Sequence, residues 1–82
     1  IKMVDRLTGK KVIGLKQTLK FMKNRKGIKI YIAKDADENL INRLEEVARD
    51  NSVDIEYVET MKKLGKLCGI NVGAATALIL KE

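Results

Sequence analysis

The feature that most limits what this chain can fold into is its alternation. Along 82 residues, stretches with helical spacing take turns with short β-branched runs. Ile1, Val4 and Leu7 recur at helical spacing before Gly9, which predicts a short helix over residues 1–8. Lys11, Val12 and Ile13 read as a strand ended by Gly14. From Leu15 to about Arg25, Leu15, Thr18, Leu19 and Met22 share one helical face while Lys16, Lys20 and Lys23 share another, and Gly27 is expected to end that helix. Residues 28–33 alternate as a strand. Asp35-Ala36-Asp37 reads as a turn, with Asp37 placed to cap a helix striped by Leu40, Ile41, Leu44, Val47 and Ala48 through about Asn51. Residues 53–58 alternate again. Thr60 caps a further helix with Met61, Leu64, Leu67 and Cys68 inward and Lys62, Lys63 and Lys66 outward, stopped by Gly69. Residues 74–80 are nearly all apolar, which suits a central strand buried on both faces. The order α-β-α-β-α-β-α-β predicts one domain over residues 1–82, a three-layer α/β/α sandwich around a small mixed four-stranded sheet.

What is missing excludes whole classes of chemistry. The chain has no His, hence no imidazole base, no Ser–His or Cys–His pair and no His metal ligand. One Cys makes neither an intrachain disulfide nor a thiolate zinc site. Cys68 falls on an apolar helix face and reads as a small buried hydrophobe. Asp35, Asp37 and Glu38 cluster, yet without a supporting His or distant ligand they make neither a metal site nor an acid–base pair. No cofactor, metal, enzymatic activity or small-molecule substrate is expected. Three aromatics, Phe21, Tyr31 and Tyr57, are too few for a platform that stacks single strands on exposed rings. No apolar run reaches ~18 residues and no secretory signal is visible, so a cytoplasmic protein without a membrane partner is expected. The chain opens on Ile1, as expected of a sequence lacking its native start.

The net charge is +6, and its placement says more than its total. From Arg6 to Lys34 stand ten basic residues and no acid. From Asp35 to Glu59 stand nine acids against Arg43 and Arg49, and from Lys62 onward four lysines against one glutamate. Such runs are either solvated faces or a surface for an anionic partner.

Two constellations bear on that choice. In Gly14-Leu15-Lys16-Gln17-Thr18-Leu19-Lys20, a glycine ends a strand and a helix begins at once, so unpaired N–H groups of its first turn form an anion site that Lys16 and Lys20 reinforce. Gln and Lys also read base edges. The same side chains are equally at home as the solvated face of an amphipathic helix. The run lacks the several glycines and the Lys-Ser/Thr pair of a nucleotide loop. In Leu64-Gly65-Lys66-Leu67-Cys68-Gly69-Ile70-Asn71-Val72-Gly73-Ala74-Ala75, which follows Met61-Lys62-Lys63, Gly65 costs its helix about 1 kcal/mol relative to Ala, which predicts close packing or close approach of another backbone. Ile70 and Val72 lie in a short loop between glycines, where they either fold under as core or offer an apolar seat to an unstacked base.

Together with Ala33-Lys34-Asp35-Ala36-Asp37, these segments resemble, over essentially the whole chain, the kink-turn RNA-binding family of ribosomal protein L-seven-Ae, in its small bacterial YbxF-like branch. The resemblance implies a binder of RNA, of the sharply bent kind with tandem sheared G·A pairs, for which ribosomal RNA and riboswitches are candidate carriers. It implies that the helix after Gly14 meets the G·A pairs. Here Lys16 and Gln17 replace the Asn-Glu of the family's Gly-x-Asn-Glu-x-x-Lys motif, and Lys20 is kept. It further implies that an extruded nucleotide is seated against Asp37, Ile41, Met61, Ile70 and Val72, and Met61 stands where many relatives carry Lys. Lys34, Lys62, Lys63 and Asn71 complete the expected RNA-binding set, with Lys62, Lys63 and Lys66 offsetting the missing Lys. The expected protein is a monomer. An alternative role is a ribosome-associated interaction protein whose acidic helix, residues 38–51, docks another protein.

Overall fold

The computed structural model describes residues 9–81, so the helix expected over residues 1–8 lies outside the described residues. Seven elements follow in order: β1 (Lys11–Ile13), α1 (Leu15–Lys23), β2 (Gly27–Ala33), α2 (Glu38–Asp50), β3 (Asp54–Val58), α3 (Met61–Leu67) and β4 (Thr76–Leu80). The strands form one mixed sheet in the order β1-β4-β2-β3. β4 pairs antiparallel with β1 and with β2, whereas β2 and β3 run parallel. The last strand in the chain is therefore an inner one. Its residues Thr76, Ala77 and Leu78 are buried, as its apolar composition requires.

Alternation along β2 feeds two cores. Ile30 and Ile32 join Met22 of α1, Leu44, Val47 and Ala48 of α2, and Leu78 on one face of the sheet. On the other face Ala33 packs with Val58, Leu64, Cys68, Ala74 and Ala77, with Tyr31 half-buried alongside. Helices α1 and α2 thus cover one face and α3 the other, giving three layers. Each fully buried Leu, Ile or Met contributes about 1.5–3 kcal/mol. Within the cores Thr76 Oγ1 donates to the Tyr31 carbonyl at 2.8 Å, which satisfies one of the two buried threonines.

Two boundaries differ from expectation, each for a tertiary reason. Helix α1 ends at Lys23 with Asn24 as its C-cap, and Arg25 (φ 58°), not Gly27, takes the left-handed turn. Gly27 instead opens β2 beneath Leu78, whose Cδ1 would lie 2.6 Å from a Cβ placed there. β4 starts at Thr76, not residue 74, because the Ala74 N–H donates to the Met61 carbonyl and so leaves the ladder.

The sheet order decides where function can sit. β1, β2 and β3 all run opposite to β4. Their C-terminal ends and the start of β4 consequently meet at one edge of the sheet. Helices α1, α2 and α3 all begin at that edge, the usual place for a binding site in an open α/β sheet.

Candidate nucleic-acid interface

The three helix starts at this edge are finished differently. Before α1, Gly14 (φ 98°) has nothing within 4 Å of where a Cβ would point, and among the described residues no side chain caps the helix. Its own N–H donates to the Thr76 carbonyl at 3.2 Å, which seats α1 directly beside the start of β4. Lys16, Gln17 and Lys20 are exposed, while Thr18 and Met22 turn inward. The first-turn N–H groups keep their partial positive charge outward, with the exposed Lys16 in the same turn.

At α2 the same task falls to Asp37, whose Oδ1 accepts from the N–H groups of Asn39 at 2.9 Å and Leu40 at 3.2 Å. At α3 it falls to Thr60, whose hydroxyl oxygen accepts from the Lys63 N–H at 3.0 Å. Asp35 adds a long-range tie: its Oδ1 accepts from the Met61 N–H at 2.7 Å. Met61 is thereby held twice, since its carbonyl accepts from Ala74 at 3.0 Å. The turn after β2, the start of α3 and the loop before β4 are joined at one residue. The sequence presents Asp35 as a turn residue and as one of a carboxylate cluster. Its structural role depends on a residue 26 positions away, which no local signal reveals.

The loop between α3 and β4 crosses its own helix closely, as Gly65 predicts. A Cβ on Gly65 would lie 2.0 Å from the Val72 carbonyl oxygen, so only glycine fits. Beside the crossing lies an open hollow of about 240 Å³ lined by Lys62, Lys66, Ile70, Asn71, Val72 and Gly73. The two apolar loop residues differ in burial. Ile70 is half-buried against the smaller core, whereas Val72 is 70% exposed. Thr60, Lys62, Lys63 and Lys66 outline an adjoining, more open depression.

Several expected residues do not line the hollow. Asp37 is engaged as a cap through Oδ1. Ile41 packs half-buried against the larger core, and Met61 stands exposed at the start of α3. Lys34 is exposed and pairs with Glu59 at 3.3 Å. Gly73 lines the hollow although it is not among the expected RNA-binding residues, and Lys66, expected to offset the missing Lys together with Lys62 and Lys63, lines it one helical turn from Lys62.

Lys16, Lys20, Lys62, Lys63 and Lys66 join no ion pair among the described residues. Many of the acids are occupied elsewhere. Glu56 pairs with Lys29 at 3.0 Å, and this bond holds the Lys29 ammonium above its ordinary pKa. Glu45 accepts a hydrogen bond from the Tyr57 hydroxyl, which raises the tyrosine's pKa. Burial pushes the Cys68 thiol up, keeping it protonated and inert. Among the described residues no group of His, Cys, Asp and Glu side chains is arranged to hold a metal ion. No helix there is long and apolar enough to cross a membrane.

Fold and edge together define a small α/β/α domain with a mixed sheet and a lysine-rich set of helix starts. The chain belongs to the ribosomal protein L7Ae/L30e/S12e/Gadd45 family, whose profile matches residues 3–82. It is 47% identical over 75 residues to an RNA-binding protein of Caldanaerobacter subterraneus subsp. tengcongensis, covering 92% of each chain. It is 42% identical over 73 residues to the RNA-binding protein YbxF of Geobacillus stearothermophilus, covering 89% of each. Among solved structures it resembles the Giardia lamblia 15.5kD RNA binding protein with a TM-score of 0.81 and 26% identity, over 88% of this chain. It spans only 61% of that protein's length. The bacterial YbxF-like branch is therefore where its relatives lie.

Proposed function

We propose that this chain, acting as one monomeric unit in the cytoplasm, binds a sharply bent RNA of the kink-turn class and catalyses no reaction. The observation that carries this reading is the exposed Val72 beside Lys62 and Lys66 in a single hollow, at the same edge as the uncapped start of α1. About 240 Å³ falls below the ~300 Å³ at which small-molecule sites begin, and suits one unstacked base. An apolar rim with ammonium groups around it favours a planar ring attached to phosphates. Relatives named as RNA-binding proteins support the same chemistry.

On this reading the two edge features divide the work. Lys16, Gln17 and Lys20 approach the G·A pairs from the open start of α1, where backbone N–H groups meet phosphate and side chains meet base edges. Ile70, Asn71 and Val72 receive the extruded nucleotide, with Lys62, Lys63 and Lys66 on its flanking phosphates. Asp37 keeps its Oδ2 free for that nucleotide because both capping bonds use Oδ1. The acidic helix is a weaker candidate for docking a protein, since Glu45 is engaged with Tyr57 and Arg49.

Titration of a bent RNA with sheared G·A pairs, at several salt concentrations, tests the proposal. About four to six phosphate contacts predict a steep loss of affinity as salt rises. Equal affinity for a stem whose G·A pairs are replaced by Watson–Crick pairs would overturn the specific claim. In that case a general affinity for duplex RNA would remain.

A further inference from the structure

The opposite edge of the sheet carries a second basic cluster that the proposed RNA site leaves unused. There the Leu80 N–H donates to the Lys10 carbonyl at 2.9 Å and the Lys81 N–H donates to the Lys26 carbonyl at 2.8 Å. These bonds bring Lys10, Lys26 and Lys81 to the start of β2 and the end of β4, next to the turn holding Lys23 and Arg25. All five side chains are exposed, and none joins an ion pair among the described residues. Asp50 and Asp54 border the β3 side of this edge, beyond β2 in the sheet order.

Ordinary helix chemistry accounts for only part of the cluster. Lys20 and Lys23 in the last turn of α1 complement the helix dipole. Arg25 has no such excuse: it occupies a left-handed backbone position (φ 58°) that glycine or asparagine adopts more readily. Lys10, Lys26 and Lys81 lie off the helix altogether. Lys16, Lys20 and Lys23 run along α1 from one edge to the other over roughly 10 Å at 1.5 Å per residue. The result is a continuous basic track from the open start of α1 to the far edge.

We infer that this track holds the phosphate backbone of a duplex arm flanking the bend, so that one RNA contacts both edges of the sheet. The inference rests on the bent-RNA reading above and adds a second contact zone to it. The protein measures 32 Å in its longest dimension. An arm of about twelve base pairs, at roughly 3 Å each, is therefore long enough to span it. At the far edge Lys10, Lys23, Arg25, Lys26 and Lys81 offer cations to phosphates, so the contribution of that zone is electrostatic and positions the RNA.

The test uses two RNAs with the same bent core, one with a short arm of about four base pairs and one of about twelve, and a straight duplex of the longer length. Wild-type protein is expected to bind the long-armed RNA about tenfold more tightly than the short-armed one at low salt. The variant K26E/K81E should lose that difference while keeping its affinity for the short-armed RNA. A second variant, Arg25→Gly, relieves the backbone position and so keeps the fold; it should lose part of the same difference. Equal wild-type affinity for both arms would overturn the inference, as would an equal loss on both RNAs in K26E/K81E. A change confined to self-association in sedimentation would overturn it too, assigning the track to a second copy's acidic face. Failure of the bent-RNA reading shows separately, as equal wild-type affinity for the straight duplex and the long-armed RNA.

Discussion

The start of α1 and the starts of α2 and α3 lie at the same edge of one sheet, yet they are built to opposite rules. Asp37 and Thr60 turn oxygen toward the first N–H groups of their helices, and Asp35 reaches across to the first N–H of α3. Among the described residues nothing of the kind faces α1, where Gly14 leaves open space and Lys16 adds positive charge to an already positive helix end. A helix start with no side-chain cap and a lysine in its first turn costs the fold free energy, because anions, not cations, stabilise that end. The contrast separates a part of the edge that holds the molecule together from a part that, on the proposed function, receives an anion. It also makes opposite predictions for stability and for RNA binding.

The largest effect is expected at the open start. Lys16→Glu with Lys20→Glu reverses two charges facing the proposed RNA and should lower affinity about a hundredfold at ~0.1 M salt. The fold should not suffer. The first substitution puts a carboxylate near the start of α1, where it complements the dipole and is expected to add about 0.3–1 kcal/mol. The second puts one nearer the other end of the helix, which offsets part of that gain. Filter binding or fluorescence anisotropy reads the affinity, and urea denaturation the stability. A variant that loses stability together with affinity would erase the distinction, because α1 would then be structural at both ends.

Next in size is Asp35→Ala, which removes a carboxylate from the Met61 N–H and unties the turn after β2 from α3. A loss of about 1–2 kcal/mol in unfolding free energy is expected. Asp37→Ala should cost about 1 kcal/mol through its lost cap, whereas Asp37→Asn keeps a good capping side chain and should be close to neutral. RNA titration of the Asn variant then reads the carboxylate's charge with the cap intact. If Asp37→Asn destabilises as much as Asp37→Ala, the capping account of α2 is wrong.

How much of this is legible in the sequence follows from how local each cause is. The caps at Asp37 and Thr60 are legible because capping is settled within three residues. Gly65 announces a close backbone approach through its helix cost alone, though not that the Val72 carbonyl is the approaching group. The alternation of Ile30, Tyr31 and Ile32 foretells a strand feeding two faces. Gly27 misleads because its glycine serves a contact with Leu78, far along the chain, and Arg25 takes the turn instead. Asp35 is opaque for the same reason, as its partner lies across the sheet edge. That the two lysine-bearing segments belong to one site is what the resemblance implies, not what local pattern shows. Their meeting at one edge depends on β4 inserting antiparallel between β1 and β2, a fact of pairing and not of local pattern.

The smallest expected effect concerns the one expected RNA-binding lysine that the fold already engages. Lys34 stands at the end of β2, between the open and the capped regions, and its ammonium lies 3.3 Å from Glu59. Both side chains are more than half exposed, so the pair contributes well under ~1 kcal/mol to stability. Glu59→Gln should therefore leave the unfolding midpoint almost unchanged. It removes a negative charge from the edge and releases Lys34, which should raise RNA affinity about two- to threefold, with the gain shrinking as salt screens the edge. Lys34→Ala, tested beside it, should lower affinity by a similar factor. If Glu59→Gln leaves affinity unchanged while Lys34→Ala weakens it, Lys34 swings freely between Glu59 and the RNA. If neither changes it, Lys34 belongs with Asp35 and Asp37 to the part of the edge that builds the protein, and the boundary of the open region moves back to α1 and the Val72 loop.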